Sequence, residues 1–177
     1  MKIIIKKIKE LDKQQTNDIK KFLISCFPDS PGFPIKVYTN PDLDVAIIGY
    51  DKGKIISHSS IIKRTILYKN KKYLVGGVGN VAVLKNERRQ GIGTEIMRAT
   101  NQTLKKFNYD LGLLFCHPDL IEFYVGAGWV EKEGRIYYSE RGNLEHESTS
   151  LFYPLKLDPV DLNVWKTEEI HIGEDTW

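Results

Sequence analysis

The sequence predicts an α+β fold: a central mixed, mostly antiparallel sheet flanked by helices. Strand-length runs rich in apolar residues recur at 2–8, 45–50, 54–67 and 73–84. Residues 14–26 and 94–107 instead repeat apolar residues at helical spacing. The turns Asp51-Lys52-Gly53 and Tyr68–Lys72 are short and polar, which suits antiparallel hairpins.

The chain has 177 residues, enough for one domain with its own core and no disulfide or metal staple. Its 41% hydrophobic and 28% charged residues exclude a wholly disordered chain. No apolar run approaches the ~20 residues of a membrane helix. The first apolar run is too short for a secretory signal, so a cytoplasmic location is expected. A net charge of +3 is too mild to argue for nucleic acid. The two cysteines, Cys26 and Cys116, and the four histidines lack metal-ligand spacing, so no metal is expected.

In chain order, residues 2–8 form a first strand and 14–26 a helix with Ile19, Phe22, Leu23 and Cys26 on one face. Residues 27–34 carry Pro28, Pro31 and Pro34 and read as a loop. The strand at 73–84 contains Gly76, Gly77 and Gly79, and its apolar phase slips between Val78 and Val81, which predicts a β-bulge. Residues 85–93 form a loop into a helix that buries Ile92, Ile96, Ala99, Thr103 and Phe107. The almost wholly apolar run 109–116 reads as a central strand, 118–126 as a short helix, and 135–138 and 150–155 as strands. Residues 158–177 read as a tail with little periodicity, one that Trp165, Ile170, Ile172 and Trp177 could pin back on the domain.

The segment with chemistry is Val81-Ala82-Val83 followed by Arg88-Arg89-Gln90-Gly91-Ile92-Gly93-Thr94. Free N–H groups at a helix start bind anions. Glycines let a phosphate approach the backbone, and Arg88 and Arg89 add charge at the rim. A bulged strand leaves backbone groups that an amide-bearing ligand can pair with. The same segment also reads as an ordinary turn into a surface helix.

The order bulged strand, Arg88-x-x-Gly91-x-Gly93, amphipathic helix, apolar strand, then Phe123-Tyr124 with Gly128-Trp129 resembles the GNAT superfamily of acetyl-CoA-dependent N-acetyltransferases. The resemblance implies a GNAT-like domain over 1–177, with 158–177 folding back on it. It further implies acetyl-CoA as cofactor, held by Val81, Ala82, Val83, Arg88, Arg89, Gln90, Gly91, Ile92, Gly93 and Thr94. A backbone N–H near Val81 would polarise the thioester carbonyl, and Tyr124 would protonate the departing thiolate. His58, Val81-Ala82-Val83, Leu111–Leu114, Tyr124 and the ending Gly173-Glu-Asp-Thr-Trp177 are similar to the aminoglycoside 2′-N-acetyltransferases. That likeness implies a cationic amine acceptor met by Asp175 and the Trp177 carboxylate, with Asp29, Asn80 and Cys116 also in the acceptor site. Those proteins carry an acid just before Val-Ala-Val, where this sequence has Gly79-Asn80.

Candidate bases are His117, an imidazole just after the apolar strand, and Asp29 acting through water. His117 reads equally as a plain helix-start residue, and His58 as a strand histidine satisfied inside the sheet. Expected partners are a small-molecule amine and, for self-association, a homodimer, with no nucleic acid and no membrane. The reading is of direct attack by a primary amine in a ternary complex. Alternatives are another small amine, a longer acyl chain, or a non-catalytic acyl-CoA sensor.

Overall fold

The computed structural model describes residues 1–29, 38, 40, 42–140, 142–147 and 149–174. Asp175, Trp177 and most of the proline-rich loop lie outside them. The chain divides into two compact units, Met1–Ile62 with Val78–Thr103, and Lys63–Gly77 with Leu104–Trp177.

The first unit holds β1 (Lys2–Lys7), α1 (Lys13–Cys26), β2 (Leu43–Asp51), the start of β3 (Lys54–Tyr68), the end of β4 (Lys71–Val83) and most of α2 (Ile92–Lys106). Its strands are ordered β1-β2-β3-β4. Helix α1 begins at Lys13 because Asp12 accepts the Gln15 N–H at 2.7 Å and Gln15 returns the bond to the Asp12 N–H at 3.2 Å. It buries Ile19, Phe22 and Leu23. Lys52 and Gly53 carry successive positive φ of 46° and 77°, the mirror-image turn whose twist suits a hairpin. Strand β2 pairs antiparallel with both neighbours, Ile48 lying opposite Ile4 and His58. Helix α2 buries Ile96, Met97 and Ala99, and its buried Thr100 and Thr103 hydroxyls bond back to the Ile96 and Ala99 carbonyls.

The second unit holds β5 (Leu111–Phe115), α3 (Ile121–Gly126), β6 (Val130–Glu131), β7 (Ile136–Glu140), β8 (Asn143–Glu147), β9 (Ser150–Pro154), α4 (Pro159–Thr167) and β10 (Ile170–Glu174). Here β4 is followed by β5, β9 and β6, and a separate sheet runs β10-β7-β8. Leu113 of β5 lies opposite Phe152 of β9. Gly112 leaves room for Leu104 and Trp129, each of which a Cβ there would meet at 2.8 Å.

Three sequence expectations change. The segment read as 118–126 splits into a 3₁₀ turn, Pro118–Leu120, and α3. Strands β6 and β8 were not foreseen: β6 has two residues, and β8 has Leu144 as its one apolar residue, so no apolar alternation reveals it. The segment from 158 is a helix and a strand. Asp158 accepts the Asp161 N–H at 2.8 Å and Pro159 opens α4, a start signal that the short helix hid. Strand β10 pairs parallel with β7, and Trp165, Ile170 and Ile172 are buried.

Polar ties hold α4 within its unit. Asp161 accepts from the Tyr73 hydroxyl at 2.8 Å and from Lys71, and Glu168 accepts from the Tyr68 hydroxyl. Buried Lys132 donates to the carbonyls of Trp165 and Glu168 at the end of the helix. A Cβ on Gly134 would overlap the carbonyl oxygens of Thr167 and Glu168. Gly134→Ala is therefore expected to cost roughly 1–3 kcal/mol. Thermal denaturation checks this, and an unchanged melting temperature would contradict that close approach.

Candidate active site

In the first unit the site is built around a break in β4. Asn80 has φ of 51° in the middle of the strand, a left-handed conformation that asparagine tolerates better than most residues. Two successive carbonyls there turn to side chains of β3. Ser60 Oγ donates to Gly79 O at 3.0 Å, and His58 Nδ1 lies 2.9 Å from Asn80 O. This is the bulge that the glycines and phase slip predicted. It directly precedes Val81, Ala82 and Val83, of which Ala82 is buried and the two valines half-buried.

His58 is fully buried, and burial lowers it to about 4 against the opposing bond to Asn80 O. The ring is therefore neutral at neutral pH. A carbonyl only accepts, so Nδ1 carries the proton and Nε2 accepts from the Tyr38 hydroxyl at 2.6 Å. His58 is thus satisfied inside the sheet, as the plain reading expected. Tyr38 was not foreseen. The signal beside it was Ser57-His58-Ser59-Ser60, a polar run between the apolar pairs Ile55-Ile56 and Ile61-Ile62.

After β4 the chain makes a 3₁₀ turn at Lys85–Glu87 and reaches Arg88, whose Nε donates back to Val83 O at 3.1 Å. Gln90 bonds to Asn86 O at 3.2 Å. Arg89 and Gly91 have φ of 63° and 80°. The first bond of α2 runs from Glu95 N to Gly91 O at 3.0 Å, so Gly91 is its cap residue. A capping Ser or Asp would normally cover the first N–H groups. Gly91 has no side chain, and nothing lies within 4 Å of where a Cβ would stand. The N–H groups of the first turn, through Gly93 and Thr94, are left for an anion, with exposed Arg88 and Arg89 beside them. Such a start fits a pyrophosphate. Asp29 is exposed in the turn after α1.

In the second unit, Tyr124 on α3 is buried at 5% exposure, packed on Phe123 at 4.9 Å and Trp129 at 6.5 Å between ring centres. Its hydroxyl makes no hydrogen bond among the described residues. Burial, and then the nearby Cys116, raise it far above the ordinary phenol value, so it stays protonated. Burial, and then Glu131, push the half-buried Cys116 thiol up to about 11. The fold brings these two residues together. His117 is exposed: its Nδ1 accepts from the Asp119 N–H at 3.4 Å and lies 3.3 Å from the Asp119 carboxylate. It caps the 3₁₀ turn.

The family pattern of the acetyltransferase (GNAT) domain matches residues 7–131, and the chain belongs to that family. Among curated relatives it is 26% identical over 130 residues to an aminoglycoside 2′-N-acetyltransferase of Mycolicibacterium fortuitum, covering 71% of this chain and 63% of that protein's length. The fold matches that of the Escherichia coli GNAT N-acetyltransferase YhbS in complex with CoA, with a TM-score of 0.67 and 16% identity over 97% of this chain and 91% of that one. A GNAT acetyltransferase of Brucella melitensis in complex with acetyl-CoA matches with a TM-score of 0.58 and 16% identity over 72% and 82%. No helix among the described residues is long and apolar enough to cross a membrane.

Proposed function

We propose that residues 1–177 act as one cytoplasmic, acetyl-CoA-dependent N-acetyltransferase domain whose acceptor is a primary amine on a small hydrophilic, aminoglycoside-like molecule. The observation that carries this reading is the start of α2, where a glycine cap with open space above it leaves helix N–H groups uncovered beside two arginines.

Bound acetyl-CoA supplies an activated acetyl thioester. This chain's residues do the rest. Gly91, Ile92, Gly93 and Thr94 receive the pyrophosphate through their N–H groups, with Arg88, Arg89 and Gln90 at the rim. The backbone of Val81, Ala82 and Val83 would pair with the pantetheine amides, and the Val81 N–H would donate to the thioester carbonyl oxygen. By the family resemblance Tyr124, kept neutral by burial, would be the proton donor to the leaving sulfur. His117 keeps its capping role.

The acceptor reading rests on the named relative and on the acids placed by resemblance. Asp29, Asp175 and the Trp177 carboxylate would hold the acceptor's ammonium groups. Deleting residues 175–177, which leaves β10 whole, is expected to abolish transfer to aminoglycosides while acetyl-CoA binding survives. A thiol-release assay over a panel of amines, with calorimetry for acetyl-CoA, checks this. A truncated protein that acetylates aminoglycosides at the parental rate would overturn the polycationic acceptor.

A further inference from the structure

The bulge of β4 holds one polar atom that the fold leaves over. The Ser60 hydroxyl hydrogen goes to Gly79 O, so Ser60 Oγ can only accept from the Asn80 side chain. It does so from Nδ2 at 3.2 Å, which sets the orientation of the carboxamide. Asn80 Oδ1 is then turned away and has no partner, although Asn80 is only 5% exposed. A buried acceptor without a donor forfeits its hydration with nothing in return. The fold accepts that cost in a residue adjacent to Val81, with the Asn80 carbonyl tied down by His58 and His58 in turn by Tyr38.

We propose that Asn80 Oδ1 receives the N–H of the attacking amine, and that this site therefore selects acceptors whose reacting nitrogen reaches it uncharged. The inference rests on the acetyltransferase reading and names the acceptor class within it. A carboxamide oxygen accepts a hydrogen bond but removes no proton. The groups that face it from β3 and from Tyr38 do not change this. His58 is neutral with both nitrogens spent, Ser60 is spent, and burial holds the Tyr38 phenol protonated. The other buried polar side chains described in this unit are serines and threonines. Among the described residues of this unit, no buried side chain offers an ammonium a counter-charge, so the ammonium gives its proton to water before its lone pair is free. Acids elsewhere can hold other ammonium groups of a polyamine without holding the reacting one.

The test uses glycinamide, a weakly basic primary amine, and ethanolamine, a strongly basic one, with acetyl-CoA. For each, kcat/KM for total amine is followed against pH. The expected profile rises until the acceptor's own pKa and then levels, so the break moves between the two amines. A break at one fixed pH for both would place a titrating protein base at the nitrogen and overturn the proposal.

Asn80→Gly removes the carboxamide while tolerating the positive φ. It is expected to lower kcat/KM for both amines about 10–100-fold with acetyl-CoA affinity unchanged. Parental kcat/KM in this variant would also overturn the proposal. A third readout needs no turnover: the side-chain amide signals of Asn80 in ¹⁵N NMR of the CoA-loaded protein should shift when either amine is added at a pH above its own pKa. Turnover without that shift removes the Asn80 contact and leaves the transferase reading standing. A shift without any turnover removes the transferase reading, and with it the attacking role of the amine, and leaves only an amine contact at Asn80.

Discussion

Replacing Gly91 by valine is expected to weaken acetyl-CoA binding by about 10²–10⁴-fold, the loss of two or so charge-assisted N–H bonds at ~1.5–3 kcal/mol each. Two effects contribute. The φ of 80° is one that a β-branched residue strongly resists, and the new side chain would fill the open space at the helix cap. Gly91→Asn separates them, because asparagine tolerates a left-handed backbone but still fills the space. Both variants are expected to lose affinity by calorimetry, Gly91→Asn while melting near the parental temperature and Gly91→Val while folded but melting lower. Unchanged acetyl-CoA binding in folded Gly91→Val would move the pyrophosphate site elsewhere.

Tyr124→Phe is expected to lower turnover by at least about ten-fold, and by up to ~10⁴-fold if all of the general-acid contribution is lost. The ring contacts with Phe123 and Trp129 survive the change. The missing hydroxyl breaks no hydrogen bond among the described residues, so stability and acetyl-CoA affinity should stay near parental. Steady-state kinetics beside calorimetry separate the two effects. Parental turnover would assign Tyr124 to packing alone.

What the sequence made legible, and what it hid, follow from where each signal sits. The hairpins around Gly53 and Asn70, helix α1 and the buried face of α2 carry strong local signals: positive-φ turn residues, a capping box and helical periodicity. The bulge showed through its glycines and phase slip, yet the residue that takes the positive φ is Asn80 rather than one of those glycines. Helix α4 and β10 were hidden because each is short and held by distant partners. Lys132 caps the helix end, Asp161 and Glu168 reach Tyr73 and Tyr68, and β10 leans on β7. None of these leaves a local pattern.

The candidate site divides in the same way. Arg88–Thr94 is a contiguous motif and was visible. Tyr38 with His58, and Tyr124 with Cys116, are pairings that only the folded chain makes. His117 was conspicuous as a histidine near a helix start, and the structure gives that position its ordinary duty, a cap.

The most direct test of acetyl transfer is the mass of the acceptor. The protein is incubated with acetyl-CoA carrying a ¹³C-labelled acetyl group and with an aminoglycoside, and both products are measured together. Labelled mono-acetylated amine is expected in one-to-one amount with released CoA, and neither product with Gly91→Val. Tight acetyl-CoA binding that depends on Gly91, with neither the aminoglycoside nor any simple primary amine acquiring the label, would contradict acetyl transfer and leave the chain an acyl-CoA-binding sensor.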